Sequence, residues 1–374
     1  MPGFQELCEL KLGTSFYAGR VKILLIGATG FIGTPLVRQL VQGGHEVTIF
    51  SRTVREADRG MSDGVGHGVR HIGGDRNHLA NYTDEFRRSK PDIVIDMILS
   101  NGRQAEALMG VFRGVTGRVV ALSSGDVYRA CGVLHGFDPG PVQEMPLRED
   151  SELRSDLNVY SSEALERVRR VFSWVGDEYD KIPAERAVMS DSEIAGTVLR
   201  LPMVYGPGDP LHRLFPYVKR MDDARPAILL QEDAAEWRGP HGYVENVAAA
   251  IALAAVSEKA AGRIYNVAEQ EAISETEWVK RIGRAAGWNG SIVPIAKEST
   301  PAHLRVPYRN EQHWYMSSER IREELGFVEP VSQETALERT IAWERNNPPE
   351  WSVAQFDYAA EDTVLGEVRV PRAQ

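Results

Sequence analysis

The chain has 374 residues, 43% of them apolar and 26% charged, enough for one large or two intimate domains around a packed core. Two cysteines exclude a disulfide-stapled scaffold, and with no apolar stretch near the ~20 residues of a membrane span the expectation is a soluble, cytoplasmic globule without a membrane partner. The net charge of -10 is uneven: residues 1–120 hold 15 Lys and Arg against 12 Asp and Glu, and the remainder 28 against 41, which disfavours nucleic acid and leaves the basic first third suited to a small polyanion.

Residues 1–20 carry Glu6, Glu9 and Lys11 among apolar letters, lack the unbroken hydrophobic region of a signal peptide, and read as an extension ahead of the fold. Val21–Ile26 is a continuous apolar run, as a strand buried on both faces requires. It enters Gly27-Ala28-Thr29-Gly30-Phe31-Ile32-Gly33. Beyond it Phe31, Leu36, Val37, Leu40 and Val41 recur at helical spacing until Gly43-Gly44 stops the helix. Strands are predicted at Glu46–Phe50, Val69–Ile72, Asp92–Met97 and Arg118–Leu122, with helices from Asn77 and Asn101. This alternation predicts an α/β fold over residues 21–200, a Rossmann-type doubly wound parallel sheet that binds ligands beyond the carboxyl ends of its strands.

Residues 132–180 are rich in Pro and acid and read as an irregular insertion near the mouth of the site, with one helix at Ser161–Phe172. A helix at Pro183–Met189 and a strand at Gly196–Leu201 resume the pattern, and Gly206-Pro207-Gly208-Asp209 reads as a turn. Residues 201–345, with helices at Val244–Val256 and Ser274–Ala286, form a smaller mixed α/β substrate-binding part, some of whose segments return to the sheet. Residues 346–374 show no period and read as a tail that wraps the surface or is mobile.

Four motifs carry chemistry. The glycines of Gly27–Gly33 permit a tight turn whose backbone N–H groups meet a dinucleotide pyrophosphate at a helix N-terminus, so Gly27, Thr29, Gly30, Phe31, Ile32 and Gly33 are candidate cofactor contacts. The next strand ends in Phe50-Ser51-Arg52, where an acidic residue would grip the ribose of NAD. The Arg52 guanidinium suits the 2'-phosphate of NADP instead, so NADP is slightly favoured over NAD. Asp75 is placed to accept from an adenine amino group. Ile98, Leu99, Ser123, Pro202 and Val204, all near carboxyl ends of strands, complete the cofactor candidates. Ser123-Ser124-Gly125-Asp126-Val127-Tyr128 puts a hydroxyl beside the site, with Asp126 and Tyr128 as substrate contacts, and Tyr179-Asp180-Lys181 precedes the strand that ends in Arg200-Leu201. The nine histidines show no metal-ligand spacing, so no metal is expected, and Trp278, Trp288, Trp314 and Trp343 read as core or lid residues.

Taken together, the Gly27–Gly33 loop, Ser124 to Tyr128, Arg200 to Gly208, His241 to Val247 and Ser317 to Phe327 resemble the short-chain dehydrogenase/reductase superfamily. The resemblance spans about residues 21–345 and is to the extended, atypical group that holds the NAD-dependent epimerase/dehydratase family. It implies that Ser124 polarises the reacting oxygen and that Tyr179 exchanges its proton. A lysine four residues beyond the tyrosine ordinarily holds the nicotinamide ribose, but position 183 is proline and Lys181 stands only two residues on. A continuous helix would point Tyr179 and Lys181 apart, so the helix is expected to begin at Pro183 and let Lys181 fold back from a turn. Tyr160, also without a lysine four residues on, ranks below Tyr179. The resemblance further implies pyrophosphate or nucleoside contacts at Arg238 and His241, a second phosphate contact at His212-Arg213, and a homodimer.

The expected function is therefore NAD(P)-dependent oxidoreduction or epimerisation of a secondary alcohol or ketone, plausibly of a nucleotide-sugar or polyol-like metabolite. The alternatives are a non-catalytic cofactor-binding sensor or scaffold, which the displaced lysine allows, and RNA binding, known in this atypical neighbourhood.

Overall fold

The computed structural model describes residues 19–52, 69–350 and 356–368. The expectation for residues 1–20 thus lies almost wholly outside the described residues.

The first strand, β1 (Lys22–Ile26), leads through the glycine loop into α1 (Gly33–Gln42), and β2 (Glu46–Ser51) and β3 (Val69–Gly73) follow. A 3-10 turn at Arg76–Tyr82, kinked inside at the non-helical His78, runs into α2 (Thr83–Ser89), so the helix expected from Asn77 is a 3-10 turn followed by a short α-helix. Then come β4 (Ile93–Asp96), α3 (Gly102–Phe112), β5 (Arg118–Ser124) and the short α4 (Arg129–His135). Within the irregular stretch lies α5 (Ser162–Val171), capped by Ser161. After it stand α6 (Lys181–Met189), β6 (Ala195–Leu201) and β7 (Met203–Tyr205).

The main sheet has seven parallel strands, six of them in this first part; the seventh is β10 (Arg263–Asn266), which pairs with β6, so the order is β10-β6-β5-β4-β1-β2-β3. The order reverses between β1 and β4, which opens a crevice at their carboxyl ends. Alternation along β1 shows why both faces are covered. Ile23 and Leu25 join the cluster of Leu36 and Leu40 from α1, while Leu24 and Ile26 join that of Phe86 from α2, Leu108 from α3 and Val188 from α6. Two small parallel pairs flank the later part: β7 with β9 (His241–Tyr243), and β8 (Ala227–Gln231) with β11 (Ser291–Ile295). Between them run α7 (Phe215–Asp222), α8 (Val244–Val256) and α9 (Glu275–Ala286), and beyond them α10 (Glu319–Leu325) and α11 (Gln333–Asn346).

Two expectations need correction. Asp180 caps α6, which begins at Lys181 rather than Pro183. The first four N–H groups of a helix need no helical acceptor, so Pro183 at the third position loses nothing, and the Asp180 carboxylate bonding the Ile182 N–H sets the start. The tail also contains a helix, α12 (Tyr358–Val368). Its Leu365 packs with Ala227 and Leu229 of β8, and its buried Glu361 pairs with Arg220 and His303. The buried side of α12 is held by these charges as well as by apolar period, which hid it in the sequence.

Candidate functional site

One cleft of about 1190 Å³ lies at the carboxyl ends of the strands, large enough for a dinucleotide and a small substrate together. Its floor is the glycine loop. Gly27 has φ +82°, a left-handed conformation that L side chains rarely adopt, and a Cβ on Gly33 would stand 2.1 Å from the Ala28 carbonyl oxygen. Gly33 thus brings α1 against the loop and turns its N-terminus toward the cleft, the arrangement that holds a phosphate.

At one end of the cleft stand Arg52 and, unremarked in the sequence, Arg38. Arg52 reaches Ser173 Oγ at 3.5 Å and is exposed. Asp75 lines the same end, but one carboxylate oxygen accepts the Asn77 N–H at 2.9 Å. Arg76 and Asp96 form a buried ion pair at 2.7 Å that joins the 3-10 turn after β3 to the last residue of β4, 20 residues on, so local sequence does not reveal it.

At the other end Ser124, Asp126, Tyr160, Tyr179 and Lys181 share the wall. Ser124 Oγ accepts the Asp126 N–H at 3.2 Å. The hydroxyls of Tyr160 and Tyr179 both donate to Asp126 Oδ2, at 2.9 and 3.2 Å. Burial pushes the Asp126 carboxyl above the usual carboxylate range, against the pull of Arg154 and Lys181. Burial and the adjacent Asp126 push Tyr179 well above the ordinary phenol value, and Tyr160 likewise. Tyr179 lies outside α6 and Lys181 is its first residue, so the two side chains do not diverge; the ammonium is 5.6 Å from the Tyr179 ring and 5.0 Å from that of Trp174. Lys181 Nζ donates to the carbonyls of Leu99, in the loop after β4, and of Leu122 in β5, and burial lowers its pKa to about 8.

Most of the sequence candidates converge here: Gly27, Thr29, Gly30, Phe31, Ile32, Gly33, Arg52, Asp75, Ile98, Ser123, Ser124, Asp126, Tyr179, Lys181, Pro202 and Val204 all line the cleft. Four do not. Leu99 is buried behind the wall and offers only its carbonyl to Lys181. Tyr128 is fully buried, its hydroxyl donating to Asn266 at 2.6 Å and accepting from Arg200 at 2.9 Å. It belongs to a buried network in which Glu185 pairs with Arg200 at 2.7 Å and also takes the Ser123 hydroxyl. His241 stacks on Trp278 at 4.3 Å, and Arg238 bonds the Ala272 carbonyl, both outside the cleft. Of Trp278, Trp288, Trp314 and Trp343, only Trp343 lines it. Arg213 is in the wall too, held by Asp209 at 2.7 Å, whereas His212 turns to Glu344.

The helix α5 and the residues after it supply a wall that sequence reading missed, with Leu165, Val168, Val171, Phe172, Trp174 and Val175 facing the cleft. The apolar spacing in α5 was visible, but not the surface it would cover.

The sequence profile of the NAD dependent epimerase/dehydratase family matches residues 23–130 and 178–268, just over half of the chain. The chain is 26% identical over 275 residues to a 2'-dehydrokanamycin reductase of Streptomyces kanamyceticus, covering 71% of this chain and 67% of that protein. It is 24% identical over 326 residues to the chloroplast stem-loop binding protein of 41 kDa b of Arabidopsis thaliana, covering 82% and 74%. Among solved structures, a dTDP-glucose 4,6-dehydratase of Bacillus anthracis in complex with NAD superposes with a TM-score of 0.61 at 14% identity, over 88% of this chain and 98% of that one. That likeness speaks to the fold.

Proposed function

We propose that this chain, which belongs to the NAD-dependent epimerase/dehydratase family, moves hydride between a nicotinamide cofactor and a secondary alcohol or ketone carbon of a small polyol-like or nucleotide-sugar metabolite. The observation that carries the reading is the convergence in one cleft of the glycine loop with Ser124, Tyr179 and Lys181. The residues present fit a dinucleotide: the α1 N-terminus for its pyrophosphate, Asp75 for the adenine, Lys181 for the nicotinamide ribose, and Arg52 for a 2'-phosphate. When bound, the nicotinamide supplies or accepts the hydride. Ser124, whose oxygen accepts from Asp126, retains its own hydrogen to donate to the reacting oxygen of the substrate.

NADP is the cofactor this arrangement favours, because no acidic residue ends β2. Denaturing the purified protein and identifying the released nucleotide tests this, followed by titration of the emptied protein with NADP and NAD. Exchangeable NADP binding weakened about tenfold or more in Arg52→Ala is the expected result. Tightly retained NAD would point to an epimerase-like cycle and defeat the role of Arg52, and binding of neither would defeat the proposal.

A further inference from the structure

Asp126 sits on the cleft wall, 7% exposed. Two tyrosines from different segments spend their hydroxyl hydrogens on one of its oxygens, Oδ2. The other, Oδ1, is buried and has no hydrogen-bond partner among the described residues. A buried polar oxygen left without a donor costs about 1–3 kcal/mol, so one that persists calls for a donor from outside the protein, a water, an ion or a ligand. A substrate O–H in this cleft is such a donor.

We propose that Asp126, rather than Tyr179, takes up and returns the proton of the substrate hydroxyl, through Oδ1, while Tyr160 and Tyr179 hold Oδ2 and set the orientation of the carboxyl. The inference rests on the hydride-transfer reading above and changes the group that handles the proton. In the oxidising direction the substrate O–H bond breaks and its proton bonds to Oδ1, turning the carboxylate into a carboxylic acid. The electrons of that O–H bond close the C=O bond, and those of the neighbouring C–H bond leave as hydride to the oxidised nicotinamide. Reduction runs the same steps backwards.

Tyr179 is poorly placed for this task. To act as a base it must first become a phenolate, and its hydroxyl faces a carboxylate that opposes a second negative charge. The Lys181 ammonium that would favour a phenolate is directed at two main-chain carbonyls. Asp126 by contrast is a carboxyl that needs no prior ionisation to a phenolate, and burial raises its proton affinity. The ionisable groups that act on it are Arg154, Lys181, Asp180, Tyr160 and Tyr179, with Cys131 behind.

The test uses the full chain loaded with NADP or NAD. Carbon-13 carboxyl NMR of aspartate-labelled protein assigns Asp126 by the signal lost in Asp126→Asn. That signal is expected to titrate above the ordinary carboxylate range, and at still higher pH in Tyr160→Phe and Tyr179→Phe, since each removes a donor to the charged form. Cyclohexanol and UDP-glucose serve as hydroxyl probes, with nicotinamide absorbance reporting turnover. Asp126→Asn should lose at least about 100-fold in kcat with cofactor affinity unchanged, and Tyr179→Phe less than about 10-fold with the acidic limb of its pH profile moved up. An ordinary carboxyl titration, or near-normal turnover by Asp126→Asn beside an inactive Tyr179→Phe, overturns the inference and returns the proton to Tyr179. A wild-type protein that binds cofactor but oxidises neither probe defeats the hydride-transfer reading, and this inference with it.

Discussion

Buried charge organises the wall behind the site. Arg200 and Glu185 are both almost fully buried, and each carries more than the pair itself: Glu185 takes the Ser123 hydroxyl, and Arg200 holds Tyr128 and the Glu149 carbonyl. Replacing one partner leaves the other charged and without its counter-ion in a low dielectric. Arg200→Met is therefore expected to lower stability by about 3–5 kcal/mol, read from the midpoint of urea unfolding, whereas the double variant with Glu185→Leu should recover part of that loss. An unchanged midpoint in the single variant would show that the pair contributes nothing net. The residue identities were all legible, but Tyr128 reads from its motif as a substrate contact and Arg200 only as the end of a strand, and their partners Asn266 and Glu185, 138 and 15 residues away, show that both face the core.

Among the elements, the turn from β1 into α1 is the one most fully specified by local sequence. An apolar strand, three glycines at three-residue spacing and an amphipathic helix leave little choice of geometry, because Gly27 adopts a torsion that disfavours a side chain and Gly33 meets a backbone that would exclude one. Gly33→Ala should displace α1 from the loop, lower stability by about 1–3 kcal/mol and weaken dinucleotide affinity about tenfold or more, measured by titration of the emptied protein. Equal affinity in the variant would mean that the α1 N-terminus does not hold the pyrophosphate. The elements that sequence reading placed loosely are those set by contacts from elsewhere. The start of α6 follows the Asp180 cap, itself held by Arg154 from the irregular stretch, and α12 follows Glu361 meeting Arg220 and His303.

At the scale of the molecule, burial makes stability depend on pH. His241 stacks on Trp278, and its pKa is lowered to about 3, chiefly by desolvation and then by Arg213. The folded protein holds this ring neutral while the unfolded chain protonates it below about pH 6.5. Its contribution is thus complete above pH 6.5 and falls as the pH drops toward 3, by up to roughly 1.4 kcal/mol per unit and less for a ring with a partly exposed edge. His241→Phe, which keeps the stack, should flatten the loss of stability between pH 6.5 and 4 in urea titrations. An unchanged slope would place the acid sensitivity in other groups.

What the sequence determined by itself was everything written in short-range periodicity: the alternation of apolar strands and amphipathic helices, the glycine loop, and hence a parallel sheet with its crevice at the carboxyl ends. Those features follow from spacings of two to seven residues, over which backbone geometry dictates which side chains share a face. Tertiary structure decided which polar residues meet. Asp126 gathers Tyr160 and Tyr179 from 34 and 53 residues away, Lys181 reaches the carbonyls of Leu99 and Leu122, and His241 leaves the cleft for Trp278. Such meetings depend on how separate elements pack, and a side chain of one type serves equally as core, cap or catalyst until its neighbours, its water and its partners are known.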